Sequence, residues 1–523
     1  MTPSTASQQA LTRTALNTPD PAKGTWRDWL ALGLLMFPVL LVAVDNTALT
    51  FALPAIAGAL GTSGVELLWI VDAYPLVLAG LLVAMGSLGD RIGRRRLLII
   101  GSIGFAAVSA VTAFAPSAAW LIAGRAALGF FGAMLMPSTL SLIRNIFVDP
   151  NRRRLAIAIW AAGFSGGAAL GPIFGGWLVE QFWWGAVLLV AVPIMLPLLA
   201  FGPAFIPESK DPTPGRVDAP SILLSLLTMV PVVYGIKEFA TEGAGPLALG
   251  SLAFGLAMGA AFVRRQQRLK SPLLDMSLFR NRVFSMAITA NVLALFSFNG
   301  FILFLAQHLQ LLEGMSPSAA GMAMIPALVA TVVAGLAVVP VVRKVRPGFV
   351  VGTGLAMSAA GYSMVTFGSH ADGPALLLAA LLVLALGVGT AETISNDLIL
   401  GSVPAEKSGA ASAISETGYE VGALLGTAVL GSILTASYQQ NLQLPAGAVE
   451  AAAGQGTAHA RETLAGALEL AAGLPAPLAD AVRHAAGSAF DSGVHVTAAI
   501  GLVLMATAAV LAAVVLRKVP KAQ

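Results

Sequence analysis

Apolar residues in this chain gather into long runs, separated by short polar and basic punctuation. Neither strand-like alternation nor the one-sided stripe of a water-facing helix prevails. About 20 apolar residues take a helix across a bilayer. Runs of that kind fall at about 29–56, 66–86, 97–115, 118–143, 155–179, 184–205, 219–237, 245–263, 284–307, 318–341, 349–367, 374–400, 408–435 and 494–516, which makes fourteen. The pattern predicts an all-α polytopic membrane protein. Composition sharpens the picture: of 523 residues, 57% are hydrophobic and 11% charged, against roughly 25% charged in a soluble domain. That excludes a water-covered surface. The 55 glycines and 30 prolines suit membrane helices, whose neighbours re-satisfy the backbone groups these residues free. With no cysteine, disulfide scaffolds, thiolate metal sites and thiol nucleophiles are excluded.

Lysine and arginine set the expected orientation, because short cationic loops stay in the cytoplasm. The connections after spans 2, 4, 6, 8, 10 and 12 hold Arg91–Arg96, Arg144–Arg154, Lys210 with Arg216, Arg264–Arg282, Arg343–Arg346 and Lys407. Of 30 basic residues, 26 fall on this side, Lys237, Arg461 and Arg483 on the other, and Arg125 inside a span. Both termini are therefore expected in the cytoplasm. The tail 1–28 carries Arg13, Lys23 and Arg27 and no apolar signal-peptide core, and 517–523 forms a short second tail.

Glycines reveal an internal repeat. Gly163, Gly167, Gly171 and Gly175 recur every four residues in the fifth span; Gly418, Gly422 and Gly426 do so in the thirteenth, 255 positions on, and Gly176 maps on Gly431. Residues 29–205 and 284–516 then read as two six-helix bundles, with spans 7 and 8 (within 206–283) inserted between them. A site between two such halves, near the midplane, is how many secondary transporters are built. Segment 436–493, alanine-rich with amphipathic stretches at 457–472 and 475–490, is expected as a helical hairpin on the outer face.

Charges inside an apolar span cost roughly 2.5 kcal/mol or more each, so intramembrane acids mark function. Asp45 lies in span 1, Asp72 in span 2, Glu392 and Asp397 toward the end of span 12, and Glu416 and Glu420 one turn apart on span 13. Arg125 in span 4 is the only expected buried base, and an Asp45–Arg125 pair is the natural proton-coupling element. That leaves Asp72, Glu416 and Glu420, with Glu392, as unpaired carboxylates for a cation. Trp69, Tyr74, Trp160, Phe164, Phe298, Phe301 and Tyr419 flank them, and aromatic faces attract lipophilic cations.

These residues also carry a resemblance. Gly86-Ser-Leu-Gly-Asp90-Arg91-Ile-Gly93-Arg94-Arg95-Arg96, between spans 2 and 3, resembles the signature loop of the major facilitator superfamily. Gly167-x-x-x-Gly171-Pro172-x-x-Gly175-Gly176 resembles the antiporter motif of its drug:proton exchangers, and Arg125-Ala-Ala-Leu-Gly129 the helix 4 motif, with Leu128 in place of a common glutamine. Together with fourteen spans, Trp69-Ile-Val-Asp72 and Glu416-x-x-Tyr419-Glu420, the chain is similar to the fourteen-helix drug:proton antiporters of the QacA-like and LfrA-like kind. The resemblance implies the major facilitator fold and export of quaternary ammonium compounds and intercalating dyes, driven by the proton gradient without a cofactor. In the loop, Gly86 and Gly93 are expected to permit a tight turn, and Asp90 to cap a neighbouring helix or pair with Arg144 as a cytoplasmic latch. Gly171-Pro172 is expected to bend span 5.

Other classes fit poorly. His308, His370, His459, His484 and His495 lie at or beyond the outer surface without ligand spacing, which leaves neither a metal site nor a nucleophile–base set for an enzyme. No G-x-x-x-x-G-K-[ST] loop marks a primary pump. The expected partners are lipophilic cations, protons and the lipid bilayer of a bacterial plasma membrane, with no nucleic acid, and the monomer is the expected working unit. A specialised exporter of one antibiotic or amphipathic metabolite stays open as the alternative.

Overall fold

The computed structural model describes residues 26–210, 218–269, 272–368, 373–404, 407–451 and 456–520. The terminal stretches 1–25 and 521–523, with Arg13 and Lys23, and also Arg216 and His370, lie outside the described residues. The membrane helices are α1 (Trp26–Leu60), α2 (Gly64–Ile92), α3 (Arg94–Thr112), α4 (Ala118–Ile146), α5 (Pro150–Gln181), α6 (Ala186–Phe205), α7 (Ala219–Glu242), α8 (Pro246–Arg268), α9 (Arg282–Gln307), α10 (Pro317–Val342), α11 (Pro347–Phe367), α12 (Gly373–Gly401), α13 (Ala410–Asn441) and α14 (Ala476–Val515). Thirteen are straightforwardly long and apolar enough to span a bilayer; α5, bent by 40° between Leu155–Ala168 and Leu170–Gln181, makes the fourteenth.

Two apolar cores organise these helices. One, built around Leu35, Leu98, Leu121 and Ile143, belongs to α1–α6; the other, around Phe284, Leu355, Leu384 and Met505, to α9–α14. Each bundle sends one knob into the other: Phe51 of α1 is buried in the second core and Leu303 of α9 in the first. The two glycine ladders do equivalent work. Gly167 and Gly175 bring α5 onto Ala43 and Ala48 of α1, and Gly422 and Gly426 bring α13 onto Val292 and Phe296 of α9. Their shared endpoint crosses between bundles. Gly176 meets the backbone of Pro317 in α10, Gly321 meets the carbonyl of Pro172, and Gly431 meets Leu68 of α2. These contacts close the pathway on the face that carries the hairpin, opposite the arginine-rich loops.

The α5 bend has a local cause. Pro172 has no N–H to offer the carbonyl of Ala168 four residues earlier, and its ring pushes that carbonyl away. Thr47 of α1 donates its hydroxyl to the freed Ala168 oxygen at 3.1 Å, so the bend carries its own solvation.

Several expectations are corrected. The α2–α3 connection is a single residue, Gly93, whose φ of 112° needs glycine; Gly86 lies inside α2 against Pro137 and turns nothing. The second arm of the hairpin is not separate, because α14 runs unbroken for 40 residues from Ala476. Short helices Ala446–Ala451, Thr457–Glu462 and Leu464–Ala472 precede it, and α13 reaches Asn441. Helix α7 continues past 237 to Glu242, so Lys237 lies within the helix and is 1% exposed. Arg125 is not the only buried base.

Candidate functional site

Two buried ion pairs flank α2, on different sides of that helix. On the side of Ile70 and Tyr74, Arg125 of α4 reaches Asp45 of α1 with Nη1 to Oδ2 at 2.7 Å. Its Nε donates to the Ile70 carbonyl at 3.2 Å, and its guanidinium lies 4.6 Å from the Tyr74 ring centre. Asp45 and Arg125 are 4% and 2% exposed, so the expected pairing is present in geometry. Tyr74 serves the protein's own cation and is fully buried.

The second pair was not foreseen. Lys237 Nζ lies 2.8 Å from Asp72 Oδ2, both side chains being sealed from solvent, and Thr427 of α13 donates its hydroxyl to Asp72 Oδ1. Asp72 therefore has its charge balanced, and the expectation of an unpaired cation-binding carboxylate there is corrected. Trp69 is likewise engaged, with the Lys237 ammonium 4.0 Å from its ring centre. The sequence signal was present: Met229, Val233 and Lys237 share one helical face at four-residue spacing. An apolar-run criterion ends the helix at its own charge and so hides it.

The remaining acids converge. Glu392 of α12 and Glu416 and Glu420 of α13 line one inter-bundle cavity of about 280 Å³ in the half nearer the arginine-rich face, with Trp160, Phe164, Tyr419 and Leu140 among the walls. Among the described residues none of the three acids makes an ion pair. Asn291, Asn396 and Ser415 add a polar patch of linked side chains, with Ser415 donating to Asn396 at 2.7 Å; intramembrane asparagines could have announced it. A smaller, deeper cavity is lined by Thr47, Arg125, Phe298, Asn299 and Thr427. Phe164 and Tyr419 border both cavities, and their rings meet edge to face at 5.7 Å across the bundles. Trp160 stacks on Phe164 at 6.3 Å and donates to Thr139. Phe301 is instead fully buried against Phe304 and Tyr362, which removes it from the cavity walls.

The signature loop is wired differently from either expectation. Asp90 pairs with Arg94 one turn on, at 2.7 Å; among the described residues it makes no ion pair with Arg144, which is exposed at the end of α4. Successive helices so nearly joined put Asp90 and Arg94 on one face, and the near partner wins. Glu208, after α6, does the capping: it accepts from the Arg95 backbone N–H at 3.1 Å. Arg95 in turn donates to the carbonyls of Pro203 and Ile206, both at 3.0 Å, at the end of α6. Arg91 is exposed.

Comparison with known proteins agrees with this architecture. Residues 35–427 match the model of the Major Facilitator Superfamily. The chain is 52% identical over 501 residues to the multidrug efflux pump LfrA of Mycolicibacterium smegmatis, covering 96% of this chain and 99% of LfrA. It is 37% identical to the methyl viologen resistance protein SmvA of Salmonella typhimurium, covering 89% and 93%. It is 33% identical to a tetracenomycin C resistance and export protein of Streptomyces glaucescens, covering 79% and 77%. Among solved structures, a bacterial homologue of the human lysosomal transporter Spinster, in its inward-facing form, superposes with a TM-score of 0.61 at 18% identity, covering 94% of this chain and 98% of that one. Two pseudo-symmetric bundles with an inter-bundle cavity and this match across most of the chain lead to one conclusion: the chain belongs to the Major Facilitator Superfamily and is a multi-pass membrane transporter.

Proposed function

We propose that the protein is a multidrug exporter that expels lipophilic cations in exchange for protons, by alternating access, with the arginine-rich face and both termini in the cytoplasm of a bacterial plasma membrane. The observation that carries this reading is the cavity holding Glu392, Glu416 and Glu420 beside Trp160, Phe164 and Tyr419. A carboxylate out of water is stabilised by whichever cation reaches it, drug or proton, and the aromatic walls favour a drug that is both charged and greasy. The efflux function of LfrA and the methyl viologen resistance in SmvA's name support it from the side of kinship. Asp45 and Arg125 are the proton-coupling pair in this scheme. A proton arriving at Asp45 removes one charge of the pair, and Arg125 borders the deeper cavity through which such a signal reaches the cargo.

The test is drug–proton exchange in proteoliposomes. An imposed pH gradient should drive accumulation of a permanently charged dye, and dye addition should release protons into a weakly buffered medium. Dye movement indifferent to the gradient refutes the coupling, and transport confined to one compound among a varied panel of cations refutes the breadth of cargo.

A further inference from the structure

The pair between Asp72 and Lys237 sits where three parts of the chain meet. Asp72 belongs to α2 of the first bundle, Lys237 to α7 of the inserted pair and Thr427 to α13 of the second bundle. Leu76, Val233, Leu424 and Ala428 seal it, with Trp69 and Met229 packed against them. Helix α7 packs on both neighbours: the Ser225 hydroxyl lies 3.0 Å from the Gly80 carbonyl of α2, and Val233 joins Leu424 and Ala428 of α13. Helix α8 touches the rest through α7, its Leu252 seated on Gly235 and its Gly255 on Val232.

Two charges this deep contribute little net stability. Removing each from water costs several kcal/mol, which their attraction barely repays, and the best-attested use of such pairs is to specify a register or switch. The register here is informative. Thr427 lies in the one π-helical turn of α13, Gly426–Leu430. Turns of this kind mark functional positions because the extra residue re-aims a side chain. At the end of that turn Gly431 meets Leu68 of α2, one of the contacts that shut the hairpin face. Alternating access requires α2 and α13 to part there.

We infer that Lys237, Asp72 and Thr427 form a clasp that holds the hairpin face shut, which makes the inserted helices a working part of alternating access. Lys237 is the positioning residue: it fixes the carboxylate on α2 so that Thr427 can find it when the face closes. On opening, Thr427 leaves with α13 and its hydrogen bond to Asp72 of α2 breaks. The inference rests on the sidedness proposed above and on neither the driving ion nor the cargo.

A cysteine-free chain makes the test direct. Thr435→Cys, beside Gly64 at the closed seam, is labelled in intact cells with a membrane-impermeant maleimide, with Ser109→Cys, buried within the first bundle, as the control. Thr427→Val, which leaves the charge pair intact, should raise the labelling rate at position 435 at least threefold. The doubly neutral Asp72→Asn/Lys237→Met should do the same without stranding a buried charge, while Lys237→Arg should keep the parental rate. Unchanged labelling at 435 in both Thr427→Val and the double variant, at normal expression, overturns the clasp. A rise at both 435 and 109 also overturns it, since that is general loosening. Neither a gradient nor a substrate is needed, so failure of the proton-exchange reading would be seen separately.

Discussion

Glu420 offers the sharpest test of cargo recognition. It is 5% exposed in α13, lines the acidic cavity and has no ion-pair partner among the described residues. Glu420→Gln keeps the shape and removes the charge. A monovalent cation held about 6 Å from the carboxylate gains about 3 kcal/mol at an effective dielectric near 20. Desolvation of the cation and competition from the proton offset about half, leaving roughly 1.4 kcal/mol, which is about tenfold in affinity. Ethidium and a neutral drug of similar size should be compared in everted vesicles under the same pH gradient. The expected result is about a tenfold rise in KM for ethidium and less than a twofold change for the neutral drug. Glu416→Gln should follow the same pattern more weakly, because Glu416 is only half-buried. Equal losses for both cargoes would refute the argument, since an acid that acts in coupling or folding does not read the charge of what is carried.

Other expectations are as direct. Asp45→Asn leaves the Arg125 guanidinium buried without its counter-charge; it should lower stability by about 3 kcal/mol and abolish gradient-driven exchange while dye still binds, measured by thermal unfolding and by transport side by side. Thr47→Val removes the donor to the Ala168 carbonyl and should cost about 1 kcal/mol, visible as a lower unfolding midpoint that Thr47→Ser restores. The Lys407 ammonium, hydrogen-bonded at 2.7 Å, together with Ser277, holds the Asp275 carboxyl below its ordinary value. A lowered folded-state value means stabilisation that is complete above the unfolded pKa and lost as pH falls through the folded one. Lys407→Met should therefore lower stability at neutral pH, by less than about 1 kcal/mol for so exposed a pair, and make no difference at about pH 2, read from unfolding midpoints at the two pH values.

Much of the fold was readable because membrane helices announce themselves by length and apolarity, and because a glycine repeat such as Gly167 and Gly422 survives where other similarity between halves fades. The Asp45–Arg125 pair was readable for a simple reason: a charge in an apolar run must find another, and these two had no other expected partner at their depth. Asp72 shows where that reasoning fails. Its partner stands at the far end of a helix that the apolar pattern cuts short, so a charge was counted as exposed when it was the counter-charge. Trp69 was misassigned by the same omission, and Tyr74 because the expected Arg125 claims its ring; a cation within the protein attracts an aromatic face as well as a drug does. Glu208 was beyond reach of any local pattern, because capping α3 from the end of α6 depends on how two residues 113 positions apart come to rest together. Asp90 was assigned a distant arginine because the one-residue junction at Gly93, which puts Arg94 a single turn away, is invisible until φ is known.

Helix α14 turns a modest rocking of the second bundle into a large displacement. Its 40 residues span about 60 Å, twice the roughly 30 Å of hydrocarbon, so half of the rod stands clear of the bilayer like the mast of a boat. A roll of about 10° around the midplane swings a masthead about 45 Å up by roughly 8 Å, several times the travel of the same helix at the waterline. The segment Glu462–Leu464, just before the mast, sits beside Leu53, Gly64 and Leu67 of the opposite bundle, and Tyr438 holds it to α13 by donating to the carbonyls of Ala460 and Thr463. The rigging is thus tied to one hull and merely resting on the other. When the hulls part, it lifts away whole with the second bundle.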